Sequence, residues 1–142
     1  MTLYLDTSAV VKLYAYEPGS PATRRAVAEA DQIASSLITY TETRAALNRK
    51  YRSREIDVAT FARSKAEFEA DWQGFVIMPV DAQTIRSAGE FAEQFGLRAY
   101  DAVHLATANG FSRETGSQVR FMCFDSALNR AASTLGLTPI VS

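Results

Sequence analysis

The strongest constraint on the fold is a pattern that occurs twice: a short apolar run, then an aspartate, then a helical stretch. Leu3-Tyr4-Leu5 is closed by Asp6, and the run that begins at Val119 is closed by Asp125. Short apolar runs that end at a turn residue are typical of strands buried in a parallel sheet. Open α/β sheets bind ligands at the carboxyl ends of their strands, so both aspartates are predicted at that edge. Capping of the next helix is the simpler interpretation of Asp6, because Asp is a favoured N-cap residue.

The rest of the chain alternates between short strands and helical patterns. Strands are predicted at 3–5, 32–36, 75–78, 119–124 and 138–141, and helices at 9–14, 20–30, 38–52, 57–72, 81–95, 99–111 and 126–135. This alternation favours an α/β fold of three layers, with a parallel sheet covered by helices on both faces. The 142 residues are enough for one domain, 1–142, with its own core.

Composition excludes several classes of protein. No apolar stretch approaches the length of about 20 residues that crosses a bilayer, and the N-terminus has no export signal. Cys123 is the only cysteine, so no internal disulfide can form, and a cytoplasmic location is expected. The net charge of −1 is not that of a nonspecific nucleic-acid binder. A basic segment at 44–54 is either a solvated helix face or an edge that contacts phosphates.

Two further acids, Glu42 and Asp101, lie on apolar faces of predicted helices. Their neighbours at helical spacing are Ile38, Ala45 and Ala46 for Glu42, and Leu97, Leu105 and Ala108 for Asp101. Charged residues are rarely buried unless they are paired or bound to metal. Two carboxylates about 4 Å apart repel by roughly 4 kcal/mol at an effective dielectric of about 20. Because no cluster of inward-facing Lys or Arg is evident, the four acids predict a hard divalent cation, Mg²⁺ or Mn²⁺.

Four motifs in a fixed order resemble the PIN domain family, and within it the VapC-type toxins of bacterial toxin–antitoxin pairs. The matching segments are Leu3 to Ala9, Thr41-Glu42, Tyr100 to Ala106, and Phe124-Asp125 with Leu128 and Ala131 after it. A single Asp-Thr-Ser motif would be weak, but four acids with these flanks form a specific combination. The resemblance covers essentially the whole chain.

The resemblance implies a Mg²⁺- or Mn²⁺-dependent endoribonuclease. It also implies a five-stranded parallel sheet of order 3-2-1-4-5, which makes the strands before Asp6 and Asp125 neighbours. Family members act on structured RNA or messenger RNA. They are held inactive by a cognate antitoxin whose tail covers the acidic pocket, and they often form homodimers.

Each of the candidate site residues has an expected role. Asp6 and Asp101 are the expected metal ligands, with Glu42 and Asp125 as further catalytic acids. Ser8, Arg98 and Asn129 are candidate contacts to the substrate. The single histidine, His104, is expected to be structural or near the substrate, since Mg²⁺ prefers oxygen ligands. Many relatives have Thr or Ser where this chain has Cys123, so a hydroxyl beside the fourth acid is missing, with Ser126 or Asn129 as substitutes.

Three other interpretations compete with a toxin nuclease. Phosphatases of the haloacid dehalogenase type need a second Asp two residues after the first, and this chain has Ser8 there. A binding module with a PIN-like fold would recognise RNA or protein without cutting. A housekeeping RNA-processing nuclease would keep the chemistry and change only its biological role.

Overall fold

The computed structural model describes residues 1–140, in which five strands alternate with seven helices. The strands are β1 (Thr2–Leu5), β2 (Gln32–Ser36), β3 (Val76–Met78), β4 (Val119–Met122) and β5 (Thr138–Ile140). The helices are α1 (Thr7–Val11), α2 (Ser20–Glu29), α3 (Ile38–Arg52), α4 (Val58–Trp72), α5 (Ala82–Phe95), α6 (Ala99–Thr115) and α7 (Ser126–Thr134). None of the helices within this described range is both long enough and apolar enough to cross a bilayer.

The five strands form one parallel sheet in the order β3-β2-β1-β4-β5. The first strand of the chain is therefore its centre, where Tyr4 pairs with Ala34 of β2 and with Phe121 of β4. The predicted α/β class, strand order and number of helices are confirmed. Because β1 and β4 are adjacent, Asp6 and Asp125 follow two neighbouring strands at one edge of the sheet.

Alternate residues of β1 pack on opposite faces of the sheet, as the strand period of two requires. Tyr4 belongs to a core formed with α6 and α7, whereas Leu3 and Leu5 belong to a core formed with α1 to α4. The largest fully buried helical side chains in these two cores include Leu105 and Leu128 on one face, and Val10, Leu47 and Phe68 on the other. The result is the predicted three-layer arrangement.

Element boundaries depart from the sequence prediction by a few residues. Helix α1 begins at Thr7 rather than at residue 9, because Asp6 accepts a hydrogen bond from the backbone N–H of Ala9 and so starts the helix directly after β1. Strand β4 ends at Met122, two residues before the predicted end. Helix α6 continues to Thr115, four residues beyond the prediction. Residue 141, predicted as the end of the last strand, lies outside the described residues.

Candidate active site

Asp6 is a buried carboxylate at the junction between β1 and α1. Its residue is 5% exposed, and its Oδ1 atom accepts hydrogen bonds from Ala9 N at 3.0 Å and Ser8 Oγ at 2.7 Å. No hydrogen bond to its Oδ2 atom occurs within the described part of the chain. Burial raises the pKa of Asp6, and the nearby Asp101 carboxylate raises it further, against the opposing effect of His104 and the two hydrogen bonds. Asp6 is thus both the predicted helix cap and a carboxylate with an oxygen left for a ligand.

Asp101 and Asp125 are linked to each other through the side chain of Arg98. Both Nε and Nη2 of Arg98 lie 3.0 Å from Oδ2 of Asp101, and Nη2 lies 3.9 Å from Oδ2 of Asp125. Oδ1 of Asp125 caps helix α7 by accepting from Leu128 N at 2.9 Å. Arg98 is a single, largely exposed side chain that lies one helical turn before Asp101 and reaches it, and is not a cluster of inward-facing basic residues.

Glu42 is held by a chain of hydrogen bonds that joins α1, α3, α6 and β1. Thr7 Oγ1 donates to Glu42 Oε1, and His104 Nε2 lies 3.1 Å from the same oxygen. On its other side, His104 Nδ1 lies 2.8 Å from the Tyr4 hydroxyl. Burial raises the pKa of Glu42, but the hydrogen bonds from His104 and Thr7 and the charge of Arg49 outweigh it, so the net pKa is lowered. Glu42 is therefore an ionised acceptor at neutral pH, in a fixed orientation.

The contact between Tyr4 and His104 is a feature of the site that the sequence did not predict. Tyr4 is fully buried, and His104 is 2% exposed. Their side chains meet only because β1 and α6 pack together across a separation of 100 residues. The available signal was the spacing of His104, three residues after Asp101 on one helix, which places both on neighbouring positions of one face. The expected structural position of His104 agrees with this geometry.

Cys123 and Asn129 lie beside the fourth acid and contact each other rather than its carboxylate. The Sγ atom of Cys123 is 3.3 Å from Asn129 Oδ1 and 3.5 Å from the carbonyl oxygen of Asp125. Burial raises the pKa of the Cys123 thiol to about 12, and the surrounding acids add to this effect. The thiol therefore stays protonated and serves as a weak donor at the position where relatives were expected to have a hydroxyl.

A cavity of about 710 Å³ opens beside these acids. Four of the predicted site residues line it: Ser8, Glu42, Arg98 and Asp101. The other three, Asp6, Asp125 and Asn129, are not part of its lining. Its other lining residues include Thr7, Glu17, Arg49, Lys50 and Tyr100. The structure thus brings four of the predicted residues to one cavity and leaves the other three out of its lining.

The basic segment at 44–54 divides into residues that face the cavity and residues that do not. Arg49 and Lys50 line the cavity, with Lys50 Nζ 2.8 Å from Glu17 Oε2. Arg44 instead forms an ion pair of 2.9 Å with Glu69 on α4. Basic residues of one helix therefore have different surroundings: two line the cavity, and one is paired with an acid outside it.

The donor set fits a hard cation held by few protein ligands. Within residues 1–140, no group of three or more Asp, Glu, His or Cys side chains is arranged to hold a metal ion. Mg²⁺ is usually bound through one or two carboxylates, with water and substrate phosphates as its other ligands. Asp6 and Asp101 meet this requirement, because Oδ2 of Asp6 and Oδ1 of Asp101 accept no hydrogen bond in that range.

Comparisons with known proteins agree with the fold. Ribonuclease VapC46 of Mycobacterium tuberculosis is 35% identical over 138 residues, which are 97% of this chain and 95% of that protein. The crystal structure of M. tuberculosis VapC20, described as a toxin that cleaves the sarcin–ricin loop, superposes with a TM-score of 0.69 at 20% identity, covering 91% of this chain and 94% of that one. A toxin–antitoxin complex from Klebsiella pneumoniae gives a TM-score of 0.58 at 16% identity, covering 83% of each chain. The family model described as PIN domain matches residues 3–133, and the chain therefore belongs to the PIN domain family.

Proposed function

We propose that this chain is a metal-dependent endoribonuclease that hydrolyses RNA phosphodiester bonds as the toxin of a toxin–antitoxin pair. One observation carries the proposal: Asp6 is buried at the carboxyl end of β1, and the residues directly after it line a cavity that Glu42 and Asp101 share with basic side chains. Two close carboxylates are costly unless a cation joins them. Relatives named as VapC ribonucleases at 34–35% identity support the same chemistry.

Asp6 and Asp101 are the proposed ligands of a Mg²⁺ or Mn²⁺ ion, with Asp125 as a further ligand, directly or through water. When bound, such an ion polarises a phosphodiester oxygen and lowers the pKa of a water molecule. Ser8 positions Asp6 by donating a hydrogen bond of 2.7 Å to its Oδ1 atom. Both Mg²⁺ and Mn²⁺ are named because the proposed ligands are all oxygen atoms, which suit either ion.

Glu42 is the proposed acceptor for the proton of the attacking water. Its lowered pKa keeps it ionised near neutral pH, and its bonds to Thr7 and His104 fix the direction in which it faces the cavity. Because the site has no Ser–His pair, a covalent intermediate on the protein is not part of the proposal.

The cavity wall supplies the proposed contacts to RNA. Arg49, Lys50 and Arg98 line it and are suited to phosphate groups, which account for most of the sequence-independent affinity for nucleic acid. Asn129 lies 3.3 Å from the Cys123 thiol, at the Asp125 end of the site, where it would contact the substrate beyond the cavity.

We also propose a cytoplasmic protein that forms homodimers and is held inactive by a cognate antitoxin whose tail covers the acidic pocket. The toxin–antitoxin complex from Klebsiella pneumoniae, which shares the fold, supports such a partner. A single buried cysteine is compatible with a reducing compartment.

Cleavage of RNA by purified protein tests the nuclease directly. We expect total tRNA and ribosomal RNA to be cut in Mg²⁺ or Mn²⁺ and to stay intact in EDTA. Asp6→Asn and Asp101→Asn should each lower the rate by about 100-fold or more, because each removes a charged metal ligand. Asp81→Asn is the matched control, since Asp81 also caps a helix, is exposed, and lies outside the cavity lining. Wild-type rates in either site variant would exclude the mechanism.

Two alternative functions give different results in the same experiments. A binding-only PIN module would retain RNA without cutting it in either ion. A housekeeping nuclease would cut RNA but would not arrest growth when expressed alone. Growth arrest that depends on Asp6 and is relieved by coexpression of a small neighbouring reading frame would identify the toxin role.

A further inference from the structure

The side chain of Arg98 occupies the position that a cation would need between two of the proposed acidic residues. Its Nε and Nη2 atoms contact Oδ2 of Asp101 at 3.0 Å, and Nη2 lies 3.9 Å from Oδ2 of Asp125. Among the ion pairs of the described residues, this is the only contact of Asp101 or Asp125 with a basic side chain. Arg98 therefore acts as a counter-ion within the protein itself.

The same contact competes with a metal ion for one oxygen. Two N–H donors of Arg98 contact Oδ2 of Asp101, whereas its Oδ1 atom accepts no hydrogen bond in the described residues, so Arg98 competes with a cation for one of the two carboxylate oxygens. The side chain of Arg98 is 80% exposed, whereas that of Asp101 is 18% exposed. Ion pairs with one exposed partner contribute little to stability because water screens them and replaces them easily. The pair is therefore weak enough to exchange.

Phosphate is the alternative ligand that Arg98 would meet on leaving the carboxylates. The guanidinium group is a planar fork that binds carboxylate and phosphate with the same geometry. Arg98 lines the cavity together with Arg49 and Lys50, where the RNA backbone is proposed to lie. Lys50 has its own acidic partners, Glu17 and Glu55, at 2.8 and 3.4 Å. Arg98 thus pairs with the carboxylates of Asp101 and Asp125, which are the groups that the metal ion would bind.

We propose that Arg98 is an exchangeable counter-ion: it holds Asp101 and Asp125 before a divalent cation binds, and it moves to an RNA phosphate once the cation has taken those carboxylates. This inference rests on the proposed nuclease function. It assigns Arg98 two partners in sequence, so its removal should have effects of opposite sign on the two ligands. A residue that only stabilised the start of α6 would not have that effect.

Calorimetric titration with Mn²⁺ in the absence of RNA gives the first measurement. We expect Arg98→Ala to bind Mn²⁺ about three- to fivefold more tightly than the wild type, the range that corresponds to losing one exposed ion pair. The matched control is Arg113→Ala, at the other end of the same helix, which should leave the affinity for Mn²⁺ unchanged. The affinity of Arg98→Lys for Mn²⁺ should lie between those of the wild type and Arg98→Ala, because lysine keeps the positive charge but lacks the planar guanidinium group.

Cleavage of total tRNA in saturating Mn²⁺ gives the second measurement. For Arg98→Ala we expect a KM about three- to fivefold higher than the wild type, while Arg113→Ala keeps the wild-type KM. A thermal melt in EDTA establishes that each variant is folded. Suppose that the wild type binds Mn²⁺ and cuts RNA but Arg98→Ala binds Mn²⁺ no more tightly. The exchange proposed for Arg98 is then wrong, and the proposed nuclease function is unaffected. A wild type that neither binds Mn²⁺ nor cuts RNA overturns both.

Discussion

Asp6 holds a charge in a place where burial makes that charge unfavourable. Its carboxylate is almost fully enclosed, and the pKa is raised chiefly by loss of water. A group whose pKa is higher in the folded state than in the unfolded state binds protons more tightly when folded. Its contribution to stability therefore falls as the pH rises from the unfolded pKa through the folded one. At neutral pH and without a bound cation, the ionised carboxylate opposes folding.

The pH dependence of an Asp6 variant follows from this sign. In EDTA at pH 7, Asp6→Asn should be more stable than the wild type, because the amide keeps the Oδ1 acceptor for Ala9 N and removes the buried charge. The difference should shrink as the pH is lowered below the raised pKa. Urea unfolding between pH 4 and 7 measures both effects.

Asp81 is the control for this prediction, because its pKa is shifted in the opposite direction. Asp81 is exposed, and its hydrogen bond from Thr84 N lowers its pKa. Asp81→Asn should therefore lose stability at pH 7, and its difference from the wild type should stay nearly constant down to pH 4, because the lowered pKa lies below that range. An Asp6→Asn variant that is less stable than the wild type at pH 7 in EDTA would show that the buried charge of Asp6 does not destabilise the fold.

Sequence reasoning at the residue scale identified the acids more readily than their partners. Asp6 and Asp125 could be located because each closes an apolar run, and Asp101 because it lies on an apolar helix face. The bond between His104 and Glu42 joins α6 to α3, which no local pattern encodes. Arg98 was recognised as near the acids, but its direct pairing with Asp101 was not expected.

At the element scale, the turn between α1 and α2 fits tightly against the chain that follows β4. Gly19 has a φ of +97°, in the left-handed region that L side chains avoid. A Cβ atom there would lie 2.6 Å from Phe124 Cε1 and 2.9 Å from Lys12 Cε. Lys12 lies over the ring of Phe124 and pairs with Glu17 on the cavity wall. This turn therefore joins the first helices to the end of the sheet that bears the acids.

Replacing Gly19 should be more damaging than replacing a glycine with open space around it. We expect Gly19→Ala to cost about 2–4 kcal/mol, from backbone strain together with the displacement of Phe124 and Lys12. Gly116→Ala is the control, since Gly116 has a φ of +65° with nothing within 4 Å of the added Cβ, and should cost about 1–2 kcal/mol. Urea unfolding gives both values, and equal losses would mean that the close contacts at Gly19 relax freely.

Four of the seven helices in the described residues were predictable because each has a local start signal. Asp6, Asp57, Asp81 and Asp125 all accept a hydrogen bond from the backbone of the helix that they precede. Strand ends were less predictable, since the apolar run after Val119 continues beyond the last paired residue, Met122. Where pairing stops depends on the neighbouring strand, which the sequence of β4 does not contain.

At the scale of the whole molecule, a nearly neutral protein has a cavity where basic and acidic side chains are mixed. The net charge is −1, and Arg49, Lys50 and Arg98 line the same space as four acids. Attraction to RNA should therefore depend on a few local contacts rather than on overall charge. Salt dependence separates these cases, because each lost phosphate contact lowers the slope of log affinity against log salt by about one.

Arg49 and Arg44 form a matched pair for this measurement. We expect Arg49→Ala to weaken RNA binding and lower the salt slope by about one, since Arg49 lines the cavity. Arg44→Ala should leave the slope unchanged, because Arg44 lies on the same helix but pairs with Glu69. Filter binding of labelled tRNA in EDTA from 50 to 300 mM salt provides the slopes. If both variants lower the slope equally, the segment acts as a general basic surface.

The central place of β1 in the sheet also determines when the site can form during translation. Phe121 on β4 is made more than a hundred residues after its partner Tyr4. Pairs so distant along the chain close slowly, and domains emerge from the ribosome with their N-terminal part first. A prematurely terminated chain that stops before β4 holds Asp6 without the strand beside it and without Asp125. We therefore expect such an incomplete chain to lack the proposed nuclease activity.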